Sequence, residues 1–107
     1  MTKIAISRDD PTPKLDLRGT FLRRTDLSHA SLRKANLSEA DFSHAVFRGA
    51  DFKDAILERT ILRGADLTGA RNLTTTQLSS AILDETTKLP DYISREDVVG
   101  RAAGTRR

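Results

Sequence analysis

From Leu15 to Gly69 a leucine or phenylalanine returns at every fifth residue: Leu17, Leu22, Leu27, Leu32, Leu37, Phe42, Phe47, Phe52, Leu57, Leu62 and Leu67. The chain there divides into eleven unbroken pentapeptides, LDLRG, TFLRR, TDLSH, ASLRK, ANLSE, ADFSH, AVFRG, ADFKD, AILER, TILRG and ADLTG. Such a period excludes the two commonest backbones. On an α-helix, five residues at about 100° each leave successive centres about 140° apart, so the apolar residues would spiral over the whole surface. On a straight strand an odd spacing sends successive centres to opposite faces. Each pentapeptide must therefore contain its own change of direction, and the chain must coil.

In a coil with one short side per repeat, the small first residue and the centre point inward and the other three point outward. Alanine or threonine in the first slot leaves room for one large neighbour, and Thr20, Thr25 and Thr60 are expected there as packing residues. Stacked coils pair backbone with backbone at about 4.8 Å. This stacking suits a chain of 107 residues with 37% hydrophobic and 31% charged residues, too thin in apolar side chains for an ordinary layered core. Burying eleven centres at about 1.5–3 kcal/mol each is the dominant stabilising term, offset by chain entropy of similar size.

The pattern of small residue, Asp or Asn, Leu or Phe, then two variable residues resembles that of the pentapeptide-repeat family, and all eleven centres match it. The resemblance implies an all-β solenoid, a right-handed quadrilateral β-helix with four repeats per coil and just under three coils here. Leu17, Leu37 and Leu57 would stack on one side, followed by Leu22/Phe42/Leu62, Leu27/Phe47/Leu67 and Leu32/Phe52. All three phenylalanine centres then fall in the second coil.

Both ends of a solenoid need closing. Residues 1–14, in which Ile4 and Ile6 alternate with polar residues, are expected to form a flap or cap over the first coil of the 15–70 repeat block. After Gly69 the register slips: Asn72 stands where a centre is due and Leu73 follows one residue late. Thr74 and Gln77 have capping-box spacing, and Leu78, Ala81 and Ile82 follow at helical intervals, which predicts a capping helix over 75–83 within a closing segment of residues 71–92. The rest of that segment is expected to be extended. The 93–107 tail is expected to be either a marginal helix, started by Ser94 and Asp97 and running through Val98, Val99, Ala102 and Ala103, or mobile, as its last residues GTRR are expected to be.

No constellation of catalytic residues emerges. Gly64 and Gly69 have the separation found in a phosphate-binding loop, but Ala70 and Arg71 stand where Lys and Ser or Thr are required. His29 and His44 occupy last slots three repeats apart, on different sides of adjacent coils, and make no metal pair. The aspartates at 26, 41, 51 and 66, with Asn36, recur before the centre, where a short polar side chain can bond turn backbone. The expectation is a non-enzyme without cofactor or metal. The absence of cysteine fits a reducing compartment. No apolar run reaches membrane-spanning length, and MTKIAISRDDP lacks a signal-peptide core, so a cytoplasmic protein is expected.

Recognition is what remains. Phe21, Val46, Ile56 and Ile61 stand in the polar slot before the centre and should point outward. Either another part of the chain covers them, the tail with Val98 and Val99 being one candidate, or they meet a protein partner or a second copy. The favoured reading is a protein-interaction scaffold with flat, preorganised faces. The family resemblance implies a second, since some members bind DNA gyrase or topoisomerase IV by mimicking duplex DNA. That mimicry needs a strongly negative surface, whereas residues 15–69 hold nine Lys/Arg against eight Asp/Glu. A third is nucleic-acid binding through a basic rim of Arg18, Arg23, Arg24, Arg33 and Lys34. These five would be spread over several sides of the first coil, so nucleic acid is not the expected partner.

Overall fold

The unit of the fold is a turn. In the computed structural model, which describes residues 15–98, the last residue of all eleven repeats has a left-handed backbone, with φ between 54° and 72°. Each centre's carbonyl accepts a hydrogen bond from the first N–H of the next repeat, as from Ala45 to Phe42 at 3.0 Å. This is a β-turn with positive φ at its third residue, the type II arrangement. Four such turns bring the chain round. Parallel bridges join each residue before a centre to its counterpart 20 residues later, from Asp16 with Asn36 to Asp51 with Arg71.

The repeat ADFSH shows why aspartate recurs. Ala40 N–H closes the turn onto Leu37, Asp41 N–H reaches back to Thr20 at 2.8 Å, and Phe42 and His44 N–H reach forward to Ile61 and Arg63, both at 2.8 Å. One amide of the five, Ser43 N–H, is left without a carbonyl, and Asp41 Oδ1 accepts it at 3.0 Å. Asp16, Asp26, Asn36, Asp51 and Asp66 do the same in their own repeats. The recurrent carboxylate thus completes the backbone accounting of each side.

Inside, the centres form the core. Phe42, Phe47 and Phe52 are fully buried, and consecutive rings lie 5.2 and 5.3 Å apart in tilted, edge-on contact. Leu27, Leu32, Leu37, Leu57, Leu62 and Leu67 are likewise buried, whereas Leu17 and Leu22 in the first coil are half-buried. Thr25 and Thr60 are buried in the small slot, and Thr60 Oγ1 donates to the Leu37 carbonyl at 2.7 Å.

The closing segment departs from the regular turn. Helix α1 spans Thr75–Ser80, with Thr74 as N-cap and the expected capping box to Gln77. Gln77 also uses its side-chain amide to donate to the carbonyls of Phe52 and Ala55, each at 2.9 Å. The helix ends three residues earlier than its spacing predicts. Ala81 is extended, and Ile82 bridges Ile61 while Lys88 bridges Asp66, so the chain returns to the sheets after α1. In the strand position beside Ile61 the Ile82 amide donates to the Thr60 carbonyl and the Ile82 carbonyl accepts the Leu62 amide, both at 2.8 Å. Beyond it, a 3-10 turn at Arg95–Asp97 follows the Ser94 cap and gives way to extended, buried Val98. The expected flap and the tail from Val99 onward lie outside the described residues.

Candidate interaction surface

The bridges sort the outward residues into four faces. Asp16, Asn36 and Ile56 share the first; Phe21, Asp41, Ile61 and Ile82 the second; Asp26, Val46, Asp66 and Lys88 the third; Ser31, Asp51 and Arg71 the fourth. The four apolar residues singled out in the sequence therefore do not form one patch. Phe21 is 83% exposed and Ile56 42%. Val46 and Ile61 are half-buried, flanked in their columns by Asp26 and Asp66 and by Asp41 and Ile82. Ile82 was not expected on a face; its signal was the tripeptide Ala81-Ile82-Leu83, which repeats Ala55-Ile56-Leu57.

An apolar residue before a centre has a local cost. It cannot accept the orphan N–H of its turn, and among the described residues the amides of Arg23, Arg48, Glu58 and Arg63 make no protein hydrogen bond. The repeats holding Phe21, Val46, Ile56 and Ile61 thus forgo a bond worth about 0.5–1.5 kcal/mol each.

The basic rim is dispersed as well. Arg18 forms a close pair with Asp16 at 2.8 Å, Arg33 reaches Asp51 in the next coil at 3.0 Å, and Arg23 lies 4.0 Å from Asp41. Arg24 and Lys34 make no ion pair among the described residues, and they stand at opposite corners of the coil. Arg48 with Asp66 at 3.2 Å repeats the coil-to-coil pattern of Arg33 with Asp51.

Electrostatics tie these carboxylates to the fold. The Arg18 side chain, followed by its backbone N–H, lowers the Asp16 carboxyl to about 2. Asp51 is fully buried, unlike the outward residue its slot predicts, because Arg33, Asn72 and the Lys53 amide close over it. Desolvation pushes its pKa up, but those bonds together outweigh it and hold the carboxyl below the ordinary value. The same balance, with desolvation opposed by a hydroxyl, an amide and a guanidinium, lowers Asp41 and Asp66.

Among the described residues no chemistry gathers elsewhere. His29 and His44 are exposed at two different corners. A Cβ built on Gly49 would lie 2.6 Å from the His29 ring, and one on Gly64 would strike the His44 ring, so each imidazole covers a glycine of the next coil. Among the described residues no group of three or more His, Cys, Asp or Glu could hold a metal ion, and no helix is long and apolar enough to cross a membrane. A shallow concavity of about 450 Å³ beside α1 is lined by Lys53, Asn72, Thr74 and Gln77 among others, with Gln77 already committed to backbone.

The family model for pentapeptide repeats matches in eight copies over residues 15–49, 35–71 and 45–84. No curated protein matches the chain significantly. Among solved structures, the pentapeptide repeat protein Rfr23 from the cyanobacterium Cyanothece 51142 is 30% identical with a TM-score of 0.64, covering 72% of this chain and 52% of its own. The chain thus spans about half of Rfr23. The pentapeptide repeat protein alr5209 from Nostoc Pcc 7120 is 27% identical with a TM-score of 0.58, covering 79% of this chain and 74% of its own. Proteins of this kind form right-handed quadrilateral β-helices and are generally structural or interaction proteins. The repeat register, the eight-copy match and the likeness to Rfr23 lead to one conclusion: the chain belongs to the pentapeptide repeat family.

Proposed function

We propose that this chain is a non-enzymatic protein-interaction scaffold, a right-handed quadrilateral β-helix of just under three regular coils closed by α1, that presents its flat faces to a protein partner. The observation that carries the reading is the apolar residue before the centre. At Phe21, Val46, Ile56 and Ile61 the repeat gives up the turn bond that Asp or Asn makes elsewhere. Phe21 and Ile56 are exposed nonetheless, so the exchange gains little inside the fold. A partner that buries these side chains supplies the missing return. In this reading the protein works in the cytoplasm without cofactor or metal.

The other readings have less support. Three of the five rim cations already face carboxylates, which weakens a phosphate-tracking surface. The near-balance of nine Lys/Arg and eight Asp/Glu over residues 15–69 lacks the negative field of a duplex mimic.

Affinity capture from the native host, with an Ile56→Asn/Ile61→Asn variant beside wild type, tests the proposal. Asn36 already fills the same slot in its own repeat and accepts the Ser38 amide, so the variant keeps the fold. Loss of the wild-type partner from the variant is the expected result. Recovery of the same partners at the same oligomer size would remove the apolar residues from the site.

A further inference from the structure

Two columns of side chains run up the second face. Phe21, Ile61 and Ile82 form one, interrupted by Asp41. The residues two further on, Arg23, Ser43 and Arg63, form the other and lie beside it: the Ser43 hydroxyl donates to Asp41 Oδ1 at 2.6 Å, and the charges of Arg23 and Arg63 act on the same carboxylate. Arg24 adds a third guanidinium at the corner. Against these three cations the regular coils set one carboxylate, Asp41, which Arg23 approaches at 4.0 Å and which the Arg63 charge also helps to keep ionised. Where Ile82 extends the face Asp84 adds a second, but its Oδ1 is spent on the Gly64 and Thr86 amides and the Thr86 hydroxyl. Arg24 and Arg63 make no ion pair among the described residues.

The other faces lack this combination. The first has one apolar residue, Ile56, amid the pairs Arg18 with Asp16 and Arg59 with Glu39. On the third, Val46 lies between two aspartates, and Arg48 is engaged by Asp66. The fourth carries no apolar residue before its centres.

Resting on the scaffold reading, we propose that the second face docks a protein segment in which apolar side chains alternate with carboxylates. The apolar groups lie along Phe21, Ile61 and Ile82, and the carboxylates meet Arg24 and Arg63. Charge selects this occupant over a second copy of the chain. An isologous contact through this face would set each copy's uncompensated guanidiniums against the other's, and like-charge juxtaposition opposes association. Charge also predicts salt sensitivity, because the two cations are exposed and screened.

Fluorescence anisotropy with a short labelled peptide of alternating leucine and glutamate, and its leucine–lysine counterpart, tests the assignment on the full chain. Wild type is expected to bind the acidic peptide at least about tenfold more tightly than the basic one, with the preference falling as salt rises. Arg24→Glu/Arg63→Glu is expected to reverse the preference, and Phe21→Asn/Ile61→Asn to weaken the acidic peptide about tenfold at unchanged circular dichroism and melting temperature. Equal binding of both peptides, no binding of the acidic one, or binding that none of these variants changes would overturn the proposal. So would the same dependence on Arg24 and Arg63 for duplex DNA or anionic vesicles without any dependence on Phe21 and Ile61, since charge alone would then explain it. Failure here differs from failure of the scaffold reading. Host partners that are lost with Ile56→Asn or Val46→Asn but kept with Arg24→Glu/Arg63→Glu would leave a scaffold that binds through another face.

Discussion

In residues 35–54 every side of the coil ends in the same turn, and nearly every backbone amide has a backbone or adjacent Asp/Asn acceptor. In residues 70–98 the period breaks, and longer side chains replace that bookkeeping. Tyr92 Oη donates to the Ala70 carbonyl and accepts the Leu73 amide at 3.1 Å. Arg95 donates to the carbonyls of Asp84 and Thr87, and Thr87 Oγ1 donates to Leu62 at 2.8 Å. The regular coil is held by repetition, each element cheap and replaceable. The closing segment is held by a few residues with no substitute nearby.

That contrast can be broken first at its strongest point. Phe47 touches both Phe42 and Phe52 at the middle of the stack. Phe47→Ala should cost about 3–5 kcal/mol in chemical denaturation, because the coils above and below fix the backbone and keep the cavity from collapsing. On the Leu17/Leu37/Leu57 ladder, Leu17→Ala should cost roughly half as much as Leu57→Ala, since Leu17 is only half-buried. In the closing segment, Tyr92→Phe removes one hydroxyl but two backbone partners. A loss of about 1–3 kcal/mol is expected, with faster hydrogen exchange at Leu73 as the local signature.

Acid should act on the regular coils as well. Asp41, Asp51 and Asp66 have carboxyl pKa values held below the ordinary one, and bonds from Thr86 lead the lowering at Asp84. A lowered folded-state pKa gives stability that is fully present above the unfolded value and lost as pH falls through the folded one. Urea midpoints should therefore hold steady down to about pH 4 and then fall. Asp51→Asn should flatten that fall; an unchanged acid limb would mean that Asp51 does not contribute to it.

The smallest effects concern single turns. Val46→Asn restores an acceptor for the Arg48 amide while giving up a half-buried contact, and should leave stability within about 1 kcal/mol of wild type. Lys34, with φ 62°, bears a side chain in left-handed backbone. Lys34→Gly should raise stability by about 0.5 kcal/mol, the relief of that strain less the added freedom of the unfolded chain.

Much of this was legible from residues alone. The five-residue period dictates inward centres and the turn role of the aspartates, because each depends only on local chemistry repeated, whereas the four-column register followed from the resemblance to the pentapeptide-repeat family. The capping box at Thr74 and Gln77 was legible for the same reason. The end of α1 was not. Ala81 and Ile82 fit a helical spacing, and only the vacant strand position beside Ile61 turns them into an extended segment. Tyr92 and Arg95 gave no signal either, since their partners are backbone carbonyls or amides that the fold brings near. The burial of Asp51 depends on Asn72, 21 residues away, which looked only like a register slip.

The two aromatic side chains most open to solvent lie on opposite sides of the comparison: Phe21, 83% exposed, on a face of the first coil, and Tyr92, 57% exposed, in the closing segment. Hydroxyl-radical footprinting of the chain, free and in complex with its captured partner, reads both in one experiment. A scaffold that binds through its coil faces predicts strong protection of Phe21 and Ile61 in the complex with Tyr92 labelled as before. Protection of Tyr92 with Phe21 and Ile61 unchanged would contradict it and move recognition to the closing end.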